Sequence, residues 1–108
     1  MEDGWASVEA AVRRIIAESA EPFTAGTVAQ INDFLKYLRE RTAPPMVTRG
    51  YWPTLCVAWE SNKELSFEIF DDRIEIYYSR DRDLRIRHIP HVVGEPFAAE
   101  IEAALPTK

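Results

Sequence analysis

Residues 54–89 read TLCVAWESNKELSFEIFDDRIEIYYSRDRDLRIRHI, four segments of alternating apolar and polar side chains broken by Ser61-Asn62-Lys63, Asp71-Asp72 and Arg80-Asp81-Arg82-Asp83. A period of two over short segments is the signature of strands with one dry face, and polar breaks this short join neighbours as hairpins. An antiparallel β-meander of four strands follows. Taking Asp71-Asp72 as a two-residue tip sets Ile69 opposite Ile74, Phe67 opposite Ile76 and Leu65 opposite Tyr78. A turn centred on Asn62 sets Trp59 opposite Leu65, Val57 opposite Phe67 and Leu55 opposite Ile69. A turn centred on Asp81 sets Tyr78 opposite Leu84 and Ile76 opposite Ile86. The three turns agree on one apolar face, which a one-residue slip would turn outward.

The same register predicts that Thr54, Cys56, Ala58, Ser66, Glu68, Phe70, Arg73, Glu75, Tyr77, Arg85 and Arg87 lie on the opposite face. Glu68 and Glu75 are directly opposed there, a destabilising arrangement unless something offsets it. Arg87, expected beside Glu75 on the next strand, supplies a counter-charge, with Arg85 diagonally near. On this reading the row is an exposed charge ladder.

Outside the sheet, helical spacing of Trp5, Val8, Val12, Ile15 and Ile16 predicts a helix over about Gly4 to Ser19, with Asp3 as N-cap and Pro22 as its limit. A second helix starts near Thr24 or Thr27, the latter forming a capping box with Gln30, and buries Val28, Ile31, Phe34, Leu35 and Leu38 before Pro44-Pro45 stops it. Residues 43–53, with Met46, Val47, Tyr51 and Trp52 among prolines, read as a stiff connector wrapped over the sheet edge, its aromatics capping that edge rather than protruding as anchors. A short helix from Pro96 to about Leu105 closes the chain. The expected architecture is α+β and a single domain over 1–108: two N-terminal helices, a four-stranded meander and one C-terminal helix, the helices covering one sheet face.

A content of 46% hydrophobic and 29% charged residues is that of a folding globular chain. A net charge of −5 and a pI near 5.0 argue against binding to nucleic acid, which needs a basic patch, and suit a basic protein partner. Cys56 is the only cysteine, so an intrachain disulfide and a Cys-rich metal site are excluded. The start Met1-Glu2-Asp3-Gly4-Trp5 lacks the basic and apolar runs of a signal peptide, and no window reaches the length of a membrane span. A cytoplasmic location, in a bacterial or phage setting, is expected.

Three sets of residues invite a chemical reading. Close carboxylates such as Glu68 and Glu75 can act as acid and base, because each pushes the other's proton affinity, but an open sheet face gives them no pocket. His88 and His91 flank Ile89-Pro90 without the spacing of a known metal motif, and read as ordinary loop histidines. Cys56 on a strand, and Ser66 and Ser79 without nucleophile-elbow glycines, read as packing and surface residues. No metal or cofactor is expected.

The run Phe34-Leu35, Leu38, Pro45, Leu55, Val57, Trp59-Glu60, Leu65, Glu68-Ile69 and Ile74 resembles a group of small bacterial proteins with a helix, a proline turn, a strand ending in Trp-Glu and an amphipathic hairpin. The likeness covers under half the chain, and Asp71-Asp72 stands where that group usually has a glycine turn. It implies a fold and no activity.

The function expected from these residues is a non-catalytic module that neutralises or inhibits a protein partner, as an antitoxin, an immunity protein or a phage anti-defence protein would. Glu68, Phe70, Arg73, Glu75, Tyr77, Arg85 and Arg87 form the expected docking face, with Phe70 and Tyr77 as anchors. Charge reversal at Glu68 or Glu75 is then expected to weaken capture and spare the melting temperature. The alternatives are a small enzyme using Glu68 and Glu75, and a homo-oligomeric subunit, a homodimer in the simplest case.

Overall fold

A computed structural model describes residues 4–80 and 82–106. Helices α1 (Gly4–Glu18) and α2 (Ala25–Arg39) are followed by strands β1 (Met46–Arg49), β2 (Leu55–Trp59), β3 (Asn62–Ile69), β4 (Arg73–Arg80) and β5 (Asp83–Pro90), then helix α3 (Ala99–Ala104). The class is α+β. The strands form one antiparallel sheet in the order β1-β2-β3-β4-β5, with the helices packed on it.

The two long helices form as their stripes dictate. Trp5, Val8 and Val12 of α1 and Ile31, Phe34 and Leu38 of α2 are buried against the sheet. Thr24 caps α2, its Oγ1 accepting from the Thr27 N–H at 3.1 Å, so Thr27 lies inside the first turn instead of capping it. The expected cap at Asp3 lies outside the described residues. Helix α3 starts at Ala99, later than Pro96, because the chain is still extended at Ala98.

From the sheet come Leu55, Val57, Trp59, Leu65, Phe67, Ile69, Ile74, Ile76 and Ile89, all buried on the helix side. The ring of Phe67 lies 5.3 Å from that of Phe34 and 5.8 Å from that of Trp59. Burial contributes roughly 1.5–3 kcal/mol for each such large side chain, before chain entropy is counted. The Asp71-Asp72 hairpin has the expected register, with Ile69↔Ile74 and Phe67↔Ile76. The β2–β3 pairing also holds from Leu55↔Ile69 to Ala58↔Ser66, and then a bulge brings Trp59 opposite Asn62 instead of Leu65.

Two further expectations fail, and they bear on the sheet as a whole. The sheet has five strands, not four: Met46–Arg49, read as part of a wrapping connector, pairs with Leu55–Ala58. The last hairpin is one residue out of the expected register. Pairing closes at Arg80↔Asp83 around Arg82, which has φ 70°, so that Tyr78 faces Arg85, Tyr77 faces Ile86 and Ser79 faces Leu84. Asp81, the expected turn centre, lies outside the described residues. The slip exchanges the two faces of β5. Arg85 and Arg87 stand on the helix side, Leu84 and Ile86 on the outer side, and only Ile89 reaches the core. The exchange is tolerated because this corner is left uncovered, as the partial exposure of Tyr78 shows.

Candidate functional site

The outer face carries a buried polar network beneath an exposed aromatic loop. Glu68 of β3 and Glu75 of β4 are directly opposed, as expected, yet they are only 7% and 6% exposed. The phenol of Tyr77 bridges them, its Oη lying 2.9 Å from Glu68 Oε1 and 2.6 Å from Glu75 Oε1. Arg73 Nε donates to Glu75 Oε2 at 2.7 Å, and Thr54 Oγ1 donates to Glu68 Oε2 at 2.5 Å. Each of the four carboxylate oxygens thus lies within hydrogen-bond distance of a protein group, the two that face Tyr77 sharing its one hydroxyl hydrogen. The two carboxylates are thereby tied into one network of side chains.

Its electrostatics agree. Burial pushes the carboxyl of Glu75 upward, but hydrogen bonds from Tyr77 and Arg73 and the charges of Arg73 and His88 outweigh it and hold the carboxyl below its usual range. Burial, reinforced by the two neighbouring carboxylates, pushes Tyr77 far above the ordinary phenol range, so it remains a donor. Cys56, opposite Glu68, is pushed up to about 11 by burial and by the Glu68 charge, which leaves a protonated and unreactive thiol.

Above this network lies the loop 50–54. The Gly50 N–H donates to the Thr54 carbonyl at 2.8 Å, closing the loop. A Cβ on Gly50 would collide with Thr54 Oγ1 and lie 2.7 Å from Glu68 Oε2, so the backbone approaches the carboxylate as only glycine allows. At the loop's tip Tyr51 and Trp52 are 85% and 58% exposed, stacked edge to face with ring centroids 5.1 Å apart. Contrary to expectation, they do not cap the sheet edge. Two large rings are presented to solvent from a loop anchored to a buried network.

The residues expected to form one docking face are therefore divided. Glu68, Glu75 and Tyr77 are the brace under the loop. Phe70 and Arg73 flank it, the Arg73 guanidinium lying 3.9 Å from the centre of the Phe70 ring. Arg85 and Arg87 are on the other side of the sheet, where Arg87 Nη2 meets Glu100 Oε2 of α3 at 2.5 Å. The counter-charge of Glu75 comes from Arg73 on its own strand, and the residue opposite it on β5 is His88, whose Nε2 is 3.8 Å from Glu75 Oε2. An exposed charge ladder is not what the sequence has built. Thr54 and Gly50 escaped the sequence reading as partners of Glu68; a lone glycine four residues before a threonine, around Trp52-Pro53, was the available signal of a folded-back loop.

His91 is buried elsewhere. Its ring stacks on Phe97 at 3.8 Å and its Nε2 lies 2.8 Å from Asp33 Oδ2, while its carbonyl accepts from Gln30 Nε2 at 2.6 Å. The same Asp33 oxygen accepts from the Gly94 N–H at 3.2 Å, so α2 fastens the segment leading to α3. Among the described residues, no group of three His, Cys, Asp or Glu side chains could hold a metal ion, and no helix is long and apolar enough to cross a membrane. Comparison with known proteins returned no matching family model, no matching curated protein and no matching solved structure.

Proposed function

We propose that this chain is a non-catalytic protein-binding module that captures and neutralises a protein partner, with Tyr51 and Trp52 as its anchors. The observation that carries the reading is the pairing of maximal exposure with a fixed base: rings 85% and 58% exposed on a loop tied down by Gly50, Thr54 and Glu68. Exposed tyrosine and tryptophan are the residue types that most often dominate binding energy, and a preorganised loop spares the ordering cost on association. The acid–base use of Glu68 and Glu75 is the less favoured reading, since both carboxylates are buried and hydrogen-bonded within the protein. An acidic chain of net charge −5 attracts a basic partner. An antitoxin, an immunity protein and a phage-encoded inhibitor of host defence all answer to this description.

The test compares the native chain with a Tyr51→Ala/Trp52→Ala variant, first as baits in a lysate of the native host and then with the purified captured partner by calorimetry. Loss of two anchors should weaken binding by at least about thirtyfold, with an unchanged melting temperature because neither ring is buried. Equal affinity of the two chains would remove the loop from the interface and the proposal with it.

A further inference from the structure

The second edge of the sheet is open, and its sequence complements itself. Strand β5 ends the strand order, runs for eight residues, and exposes every one of them except Ile89. Natural edges are usually blunted by shortness, by proline or by a covering element. The opposite edge, β1, has only four residues, between Pro45 and Gly50. On β5 the register slip puts Leu84 and Ile86, 60% and 44% exposed, on the outer side and Asp83, Arg85 and Arg87 on the helix side.

We propose that β5 pairs antiparallel with β5 of a second copy of this chain, centred on Arg85, to join two sheets into one of ten strands. In that register Leu84 faces Ile86 of the other copy twice, and Asp83 faces Arg87 of the other copy twice. The one adverse contact is Arg85 against itself at the two-fold axis. Cross-strand pairs of these kinds are of similar weight, so four favourable contacts outweigh one unfavourable. Charge also selects the register: centring on Ile86 would set Arg85 against Arg87 twice, and centring on Leu84 shortens the overlap. Pro90, which cannot donate a ladder hydrogen bond, falls outside the five paired residues. An isologous contact of this kind closes on itself and covers residues 83–87 of the β5 edge, while Tyr51 and Trp52 stay available. Its area is small, so association is weak and concentration-dependent.

Sedimentation equilibrium over rising concentration tests it. The average mass should climb from 12.4 kDa towards twice that value. A Leu84→Lys/Ile86→Lys chain, altered only at exposed positions, should stay monomeric with its far-ultraviolet spectrum intact. Asp83→Arg should weaken self-association about tenfold by replacing both opposite-charge contacts with like ones. On a Cys56→Ala background, Arg85→Cys should give a covalent dimer under mild oxidation, because opposed Cα atoms about 4.5 Å apart suit a disulfide. A chain monomeric at every concentration, or a dimer that survives the two lysines, overturns the proposal. Partner capture through Tyr51 and Trp52 is read separately, since the lysine pair should leave it unchanged.

Discussion

Tyr77 has one hydroxyl hydrogen and two carboxylate oxygens within reach, and it bridges Glu68 and Glu75 where they sit opposite each other out of water. Tyr77→Phe should remove that hydrogen and leave the oxygen that accepts it without a donor, at a cost of roughly 1–3 kcal/mol for a buried polar group left unpaired. Urea denaturation would show it as a lowered midpoint at unchanged slope. For the same reason charge reversal at Glu68 or Glu75 is now expected to lower stability, where an exposed ladder would have been indifferent. The opposition of the two carboxylates was legible in the alternation of β3 and β4. The burial of Glu68 was not, because it depends on Gly50 and Thr54, residues of a loop that folds back from a different hairpin.

At the scale of the element, the β4–β5 hairpin shows where sequence reasoning runs short. The break Arg80-Asp81-Arg82-Asp83 is polar throughout, so nothing in its composition separates a turn centred on Asp81 from one closing at Arg80↔Asp83. Asp71-Asp72, by contrast, is bounded by Phe70 and Arg73 with apolar residues immediately beyond, which leaves one register. Strand β1 was hidden for a related reason. Only Val47 of its four residues packs against the core, too few for a period to register. The structure makes a prediction at the ambiguous turn. Arg82 has φ 70°, a conformation that costs an L side chain about 1 kcal/mol, so Arg82→Gly should stabilise the fold by a similar amount. A rise in melting temperature of about 4 °C would be the measure.

For the molecule as a whole, acid is the condition to which this fold is exposed through Glu75. Its carboxyl titrates lower when folded than when unfolded, so its contribution is complete above the ordinary carboxylate range and drains away as pH falls through the depressed folded value. Glu75→Gln should therefore be less stable than the native chain at pH about 7, and the gap should narrow below pH about 4. Parallel denaturation series at several pH values would show a gap independent of pH if the carboxylate were not involved.

The strict neighbour order of the five strands also bears on how the chain reaches this state. Each strand finds its mate across a short turn, so the sheet can zip from one hairpin to the next with little loop entropy lost at any step. The distant closures include α1 returning to β1, α2 reaching β3, and the segment after β5 reaching Asp33 on α2. Assembly of the sheet can thus run ahead of its cover, and until the helices arrive Phe67 and Ile76 face water.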